Sequence, residues 1–192
     1  MNPDFDFDPL EVIRSFYPDD TPLRQTLLLH SRQVCAKALA LLDSAPADFV
    51  ADRNIAARGA MLHDIGIGSC YAPDIFCTGR ENYIAHGIIG GRMLRSWGLE
   101  HGVDMEVFAR ICERHTGSGI TTGDIISQSL PLPLQDYLPE TPEEELICLA
   151  DKFFSKSGSM QEKSMSDILR GLSRFGGEAV ARLNILAGKI IR

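Results

Sequence analysis

The chain has 192 residues, of which 44% are hydrophobic and 23% are charged. This length and composition predict one globular domain with a substantial core. Its 19 basic and 26 acidic residues give a formal net charge of −7, which excludes a broad electrostatic attraction to a nucleic-acid backbone or an anionic membrane. We therefore expect neither a nucleic-acid polymer nor a membrane as a partner. The net charge does not exclude a local basic pocket that binds a small phosphate compound.

The cysteines and the N-terminus bear on the compartment. Five cysteines, an odd number without a CxxC pair, suggest neither a disulfide framework nor a zinc ribbon. The N-terminus is acidic, with Asp4, Asp6 and Asp8, and it lacks the basic and apolar segments of a signal peptide. No apolar run approaches the roughly 18 residues that a membrane span needs. A cytoplasmic location is therefore expected.

The first part of the chain predicts a short extension and then a long helix. Residues 1–20 form the N-terminal extension, with one short helix in it. Thr21 and Pro22 begin the long helix, which should extend to about Asp43, because threonine caps a helix and proline suits its first turn. Apolar residues at three- and four-residue spacing place His30 on the buried face of this helix.

The next helix ends in a histidine and an aspartate. It is predicted to begin at Asp52 or Asn54 and to end at His63-Asp64, directly before Gly66. Adjacent side chains on a helix point about 100° apart, but both can reach one object that lies over the helix end. A metal ion is the obvious candidate, since imidazole and carboxylate suit Zn, Fe, Mn and similar ions.

A glycine-rich segment separates this motif from the third long helix. Residues 65–82 are predicted to be a loop, and Arg80 lies in it. The helix should extend from about Tyr83 to Trp97, where a glycine ends it, with His86 in its first turn. Several glycines inside the helix lower its propensity and therefore indicate close packing.

Two further helices carry one candidate ligand each. Asp104 should begin a helix that ends at His115, and residues 117–140 are loop-like. A capping box with proline at the first helical position begins the next helix at Thr141. Asp151 lies on the apolar face of that helix, where a carboxylate needs a partner.

The predicted fold class is all-α, because no convincing strand pattern is present. The expected organisation is an extension over residues 1–20, a helical core over 21–156 and C-terminal helices packing on the same domain over 157–192. Those C-terminal helices, at about 161–174 and 177–191, hold no histidine. They should close the core or form a partner surface.

Four histidines and two aspartates lie on apolar helix faces or at helix ends. They are His30, His63, Asp64, His86, His115 and Asp151. Alone, each is more typical of a hydrogen-bonded core residue. Together they would need a separate buried partner each, whereas one shared metal centre accounts for all of them. The remaining histidine, His101, lies in a predicted turn and is interpreted as a surface residue.

The order of these residues resembles a known signature. His30, then His63-Asp64 within the letters HDIG, then Asp151 resembles the H…HD…D pattern of the HD-domain metal-dependent phosphohydrolase superfamily, over about 22–155. Such a resemblance implies a single HD-domain helical bundle with an additional C-terminal helical segment. It also implies divalent metal ions as cofactors.

Two more histidines resemble those of the binuclear HD branches, namely His86 and His115. The resemblance implies two ions held by the six residues named above, with Asp64 as the bridge and His63 and Asp64 as the catalytic pair. The ions would activate water for phosphoryl displacement. Histidine and carboxylate ligands without thiolates favour Fe, Mn, Zn, Mg or Co.

Substrate contacts are predicted from nearness to the ligands in sequence. Some members of the superfamily read HDIGK or HDIGR, whereas this chain has Ile67 after HDIG. The resemblance therefore does not supply the phosphate contact that this basic residue would make. Lys152, Arg114 and Arg80 are the candidate phosphate-binding cations, with a solvated surface charge as the alternative for each. Ser118 would offer a hydroxyl group, with a simple helix-ending loop as its alternative.

The leading hypothesis is a metal-dependent phosphohydrolase acting on a nucleotide or another small phosphate compound. The chain lacks the acidic pair that follows the His-Asp motif in branches that hydrolyse guanosine tetraphosphate or deoxynucleotides, so those activities are less expected. Two alternatives stay open, an HD-type di-iron oxygenase and a non-catalytic metal-dependent nucleotide-binding module. The sequence also leaves both a monomer and a homodimer as options for the oligomeric state.

Overall fold

A computed structural model of the chain describes residues 6–158 and 160–191, so residues 1–5 of the predicted extension, with Asp4, lie outside the described residues. In chain order its helices are α1 (Pro9–Phe16), α2 (Pro22–Ser44), α3 (Arg53–Leu62), α4 (His86–His101), α5 (Glu106–Arg114), α6 (Thr122–Ser127), α7 (Pro142–Lys152), α8 (Met165–Leu172) and α9 (Gly177–Ile190). A short antiparallel hairpin of β1 (Tyr71–Ala72) and β2 (Cys77–Thr78) lies between α3 and α4. The predicted all-α class is confirmed. Within the described ranges, no helix is both long enough and apolar enough to cross a membrane.

Two helix starts follow the capping rules that the sequence indicated. The Thr21 hydroxyl accepts a hydrogen bond from the Arg24 N–H at the start of α2. At α7, Thr141 and Glu144 form a capping box in which each side chain accepts from the other residue's backbone N–H. Such a cap contributes about 1 kcal/mol to helix stability, so local chemistry determines where both ligand-bearing helices begin.

One cluster of buried apolar side chains joins the helices. It includes residues of α1, α8 and α9 together with those of α2, α3, α4, α5 and α7, for example Leu183 of α9, which is fully buried. Within it α4 packs against α5, and α2 packs against α3 and α7. Ile125 of α6 belongs to a separate small cluster with Ile120 and Tyr137. The division into residues 1–20, 21–156 and 157–192 stays a prediction.

Glycines allow two close approaches near the His-Asp motif. A β-carbon at Gly59 would lie 2.6 Å from Ile111 Cδ1 and 2.8 Å from Ile147 Cδ1, so the absence of a side chain there lets α5 and α7 pack closely on α3. A β-carbon at Gly66 would lie 2.2 Å from the His86 carbonyl oxygen and 2.5 Å from the Gly90 nitrogen. The segment that follows Asp64 can therefore lie directly against the start of α4.

The end of α4 and the start of α5 differ from the prediction. α4 continues through Gly98 to His101, and it ends at Gly102, whose φ of 70° is the left-handed conformation that glycine adopts without strain. α5 begins at Glu106 rather than at Asp104, because the Asp104 carboxylate accepts a hydrogen bond from the Glu106 N–H at 2.9 Å. His101 is therefore the last residue of a helix and not part of a turn.

Two stretches predicted as loops contain regular structure. Residues 65–82 hold the β1–β2 hairpin, and residues 117–140 hold α6, which begins with a capping box of Thr121 and Asp124. The hairpin was not predicted, because two-residue strands are too short to show alternation, and it does not change the all-α class. α6 spans 6 residues, too few to show a helical period.

The C-terminal helices are present, but the first is shorter than predicted. The Ser164 hydroxyl accepts from the Asp167 N–H, so α8 begins at Met165 and not near residue 161. α9 agrees with the predicted range 177–191, except that Ile191 lies outside it. Ser159 and Arg192 lie outside the described residues.

Candidate metal centre

Six side chains from five helical segments converge in the interior. His30 lies within α2, His63 and Asp64 directly follow α3, His86 begins α4, His115 follows α5, and Asp151 lies near the end of α7. All are buried, with exposed fractions between 0% and 7%. They form two groups in which one ligand atom from each residue lies within 4.8 Å of the others, and Asp64 belongs to both groups. The structure thus brings together every residue that the sequence pattern singled out as a candidate metal ligand.

The first group contains His30, His63, Asp64 and Asp151. His30 Nε2 lies 2.9 Å from Asp151 Oδ1 and 3.2 Å from Asp64 Oδ2. His63 Nε2 lies 3.1 Å from Asp64 Oδ2 and 3.4 Å from Asp151 Oδ1. Two imidazole nitrogens and two carboxylate oxygens therefore face one small volume.

The second group contains Asp64, His86 and His115. The other oxygen of Asp64, Oδ1, lies 3.3 Å from His86 Nε2 and 3.4 Å from His115 Nε2. The two histidine Nε2 atoms are 3.0 Å apart. Because each oxygen of Asp64 faces a different group, this carboxylate is placed as a bridging ligand would be.

Backbone carbonyls orient three of the histidines. The Nδ1 atoms of His63, His86 and His115 lie 2.7, 2.6 and 2.7 Å from the carbonyl oxygens three residues earlier. A carbonyl oxygen only accepts, so Nδ1 carries the proton and Nε2 is left to face the cluster. Ligating histidines in metal sites commonly have this second hydrogen bond.

Several polar atoms of the cluster lack hydrogen-bond partners. His63 Nε2 and both oxygens of Asp64 are buried without a hydrogen bond in the part of the chain that the structure describes. Lys156 Nζ does lie 2.7 Å from Asp64 Oδ2, but this contact is an ion pair and not a well-directed hydrogen bond. Buried groups of this kind cost free energy unless a cation or donor satisfies them. The donor set of imidazole nitrogens and carboxylate oxygens fits divalent Fe, Mn, Zn or Co.

The electrostatics keep most of these groups in metal-binding forms. Burial opposes the charge of Asp64, but His63 and Lys156 outweigh it and hold the pKa of Asp64 well below its usual range. Burial likewise opposes the charge of Asp151, whose pKa is also held well below its usual range, chiefly by Lys152. Burial lowers the pKa of His115 to about 4, so its imidazole is neutral. For His63, burial is outweighed by Asp64, which raises the pKa to about 9, so a metal at this nitrogen would displace a proton.

A cavity of about 620 Å³ opens beside the cluster. Asp151 forms part of its lining, together with Tyr83 and the loop 116–120 that follows His115. α8 and α9 also contribute to the lining, for example with Ile168 and Arg182. The C-terminal helices therefore contribute to the wall of a cavity, in addition to the core-closing task expected of them.

Two lysines approach the cluster, and sequence reasoning missed one of them. The predicted residue Lys152 lies 2.7 Å through Nζ from Asp151 Oδ2, and it lines the cavity. Lys156 also lines the cavity, and its side chain is only 13% exposed. It follows the end of α7, so no helical spacing links it to Asp151. The only sequence signal was a second cation in the segment after the last ligand.

The other predicted substrate residues lie in different surroundings. Ser118 lines the cavity, but its hydroxyl donates to the Ala179 carbonyl oxygen at 2.8 Å and so docks α9. Arg114 is held by Glu140 at 2.9 Å, and Arg80 is exposed. Neither arginine lines the cavity, so Lys152 and Lys156, and not the arginines, are the candidate phosphate contacts.

The remaining histidine lies apart from the cluster, as expected for a surface residue. His101 is exposed and stacks on Trp97, with ring centroids 4.0 Å apart. Its Nδ1 donates to the Trp97 carbonyl oxygen at 2.8 Å. This residue provides a histidine control for experiments on the cluster.

The chain is similar in sequence to several known proteins. Relatives include a tRNA (cytidine(56)-2'-O)-methyltransferase of Picrophilus torridus, 33% identical over 82% of this chain and 38% of that protein. The corresponding protein of Thermoplasma volcanium is 29% identical over 86% of this chain and 43% of its own length. An uncharacterized protein of Methanocaldococcus jannaschii is 38% identical over 52% of this chain and 48% of its own.

The chain thus spans less than half of the length of each of these relatives. No solved structure matches it. The family model described as the HD domain matches residues 27–155, which include all six residues of the cluster. The chain belongs to the HD-domain family.

Proposed function

We propose that this protein is a metal-dependent phosphohydrolase that acts on a nucleotide or another small phosphate compound. The observation that carries the proposal is Asp64, whose two carboxylate oxygens face separate histidine groups at 3.1–3.4 Å. That arrangement suits two divalent ions that share one carboxylate. His30, His63 and Asp151 would complete the first site, and His86 and His115 the second.

The chain's own residues would bind and orient the phosphate. Bound divalent ions would supply Lewis acidity, which lowers the pKa of water and neutralises phosphoryl charge. Lys152 and Lys156 line the cavity beside the cluster, so their ammonium groups can contact phosphoryl oxygens. Burial of the ligands keeps bulk water from the cluster and strengthens these electrostatic contacts.

The size of the cavity supports a substrate larger than phosphate. Its volume of about 620 Å³ lies within the roughly 300–1,000 Å³ of typical small-molecule sites. Ile168, Leu172 and Phe175 of the C-terminal segment give part of the lining an apolar character. An organic group attached to the phosphate would therefore lie against α8 and α9.

The methyltransferase relatives motivate one additional substrate. Their name describes proteins of which this chain spans 38% and 43%, so methyl transfer is not proposed for this chain. A terminal phosphate on a short oligoribonucleotide belongs in the substrate screen for this reason. The net charge of −7 argues against an extended RNA interface.

The test is a phosphate-release screen on protein loaded with Mn, Fe, Co or Zn. Nucleotides, dinucleoside polyphosphates, simple phosphate esters and a phosphate-terminated oligoribonucleotide are compared with a His63→Ala/Asp64→Ala double variant. We expect turnover of at least one compound that the double variant lacks. Equal rates in both proteins would overturn the proposal. Oxygen consumption by the reduced iron form would favour an oxygenase, and tight nucleotide binding without turnover would favour a binding module.

Narrowing the cavity should weaken substrate binding without changing the metal centre. Gly171 of α8 lines the cavity, and a β-carbon there would have no heavy atom within 4 Å. Gly171→Leu should raise KM about tenfold, because lost space and contacts cost about 1–3 kcal/mol, while metal content and helix stability are kept. Steady-state kinetics and elemental analysis measure this.

The matched control is Gly188→Leu on α9, since Gly188 also has open space around it but does not line the cavity. An unchanged KM in Gly171→Leu, or an equal rise in both variants, would show that the substrate does not occupy this part of the cavity.

A further inference from the structure

Three lysines line the cavity, and they differ in their partners. Lys152 Nζ lies 2.7 Å from Asp151 Oδ2, and Lys156 Nζ lies 2.7 Å from Asp64 Oδ2. Lys163 also lines the cavity, but in the described part of the chain its ammonium group forms no ion pair and no hydrogen bond. Among the described residues, one of the three lysines therefore has no carboxylate in direct contact with its ammonium group.

The backbone holds Lys163 at this place. Its N–H donates to the Phe153 carbonyl oxygen at 2.8 Å, which ties the segment before α8 to the end of α7. The side chain is half-buried. Lys163 is thus held beside the cavity by main-chain structure and not by a charge partner of its own.

Lys163 lines the same cavity as Lys152, Lys156 and Asp151, and the charges of these residues act on its ammonium group. Burial lowers its pKa, and the charges of Lys152 and Lys156 lower it further, whereas Asp151 alone opposes them. Such effects require that these charges lie close together. An unpaired, partly desolvated ammonium group costs free energy, and an incoming anion would remove that cost.

Besides Asp151, three acids line the cavity, namely Asp74, Asp124 and Asp167, and two of them are paired with arginines. Asp124 contacts Arg182 Nη2 at 2.6 Å, and Asp167 forms an ion pair with Arg170. These carboxylates are therefore not free to neutralise Lys163. Lys152 and Lys156 are paired with Asp151 and Asp64, so Lys163 adds a positive charge that neither of these two carboxylates contacts directly.

We propose that Lys163 forms a second anion subsite, so that the preferred substrate carries two adjacent anionic groups, as a phosphoanhydride does, and not a single phosphomonoester. This inference rests on the proposed function for the group that is hydrolysed at the cluster. The second phosphoryl group is the one that Lys163 binds. Lys163 lies beyond the matched HD region of residues 27–155, so this preference is a property of the C-terminal segment.

The test compares two inorganic probes on the full chain. Isothermal titration measures the affinities for phosphate and for pyrophosphate at matched ionic strength, in excess magnesium so that pyrophosphate does not strip metal from the protein. Lys163→Met should weaken pyrophosphate binding about tenfold and phosphate binding less than about twofold, because one charge-assisted contact is lost with the second phosphoryl group only. Lys163→Arg should keep most of the pyrophosphate affinity.

Lys189→Met is the matched control, since Lys189 is a lysine of α9 that pairs with Glu145 and does not line the cavity. An equal loss of both affinities in Lys163→Met, or no loss of either, would overturn the second subsite. In parallel, the kcat/KM values for a nucleoside diphosphate and its monophosphate are compared in the same variants.

The two proposals fail in different ways. If no phosphate compound is hydrolysed, the proposed function fails, and the ratio of pyrophosphate to phosphate affinity still decides the role of Lys163. If hydrolysis occurs but Lys163→Met changes the diphosphate and monophosphate rates equally, the subsite fails and the phosphohydrolase assignment stands.

Discussion

Asp64→Ala should remove both metal ions and lower hydrolysis at least about a thousandfold, whereas His86→Ala should remove mainly one ion. The reason is the position of the Asp64 carboxylate, whose Oδ2 faces His30 and His63 while Oδ1 faces His86 and His115. Loss of that side chain removes an oxygen ligand from both groups. Loss of the His86 imidazole removes a ligand from the second group alone.

Elemental analysis of protein purified without chelator measures the expected difference in ions per chain. Asp64 also lies 2.7 Å from the Lys156 ammonium group, so the alanine variant leaves a buried cation unpaired and could fold poorly. Asp64→Asn, which keeps the shape of the side chain, separates loss of metal from loss of fold when circular dichroism is recorded for each variant. His101→Ala serves as the histidine control. Equal metal loss in the Asp64 and His86 variants would contradict the bridging assignment.

Lys156→Met should lower kcat/KM about 10²–10³-fold while the metal content stays near that of the unchanged protein. The Lys156 ammonium group lines the cavity, and its side chain is 13% exposed, so it can contact a phosphoryl group in surroundings of low polarity. Methionine keeps most of the side-chain length and apolar volume but has no charge. Loss of a charged contact to the reacting phosphoryl group therefore explains a change in rate without a change in metal binding.

Steady-state kinetics with elemental analysis on the same samples measure both quantities. Lys156→Arg, which keeps the positive charge, should recover part of the activity, and Lys189→Met should behave as the unchanged protein. A variant that loses metal in proportion to activity would show that Lys156 acts by holding Asp64 in place and does not bind substrate. A rate within about twofold of the unchanged protein would exclude both roles, since even one neutral hydrogen bond contributes more.

Helical spacing predicted the cluster well because the ligands belong to regular elements. His30 shares a face with the apolar residues of α2, and Asp151 shares one with those of α7, so both are directed inward. His63 and His115 each follow a helix of strong sequence signal, and His86 begins one. Capping residues such as Thr141 marked helix starts directly. Each of these inferences needed only a few neighbouring residues.

The positions of short elements and of distant cations could not be predicted in this way. α6 and the β1–β2 hairpin are too short for a hydrophobic period to repeat several times in the sequence, so no pattern marks them. Lys156 and Lys163 follow α7 in segments without regular spacing, so a surface lysine and a cavity lysine look the same in the sequence. Arg114 and Arg80, which are near ligands in sequence, lie away from the cavity.

The sequence by itself determined the set of metal-binding candidates, because burial of a charged or imidazole group within an apolar helical pattern is a local property with a large free-energy cost. Only the tertiary structure decided how those groups divide into two sets around Asp64 and which lysines lie beside them. It also decided that α8 and α9 contribute to the wall of the cavity. These features depend on contacts between residues far apart in the chain, such as Ser118 with Ala179, 61 positions later. Their geometry follows from packing, which no local pattern encodes.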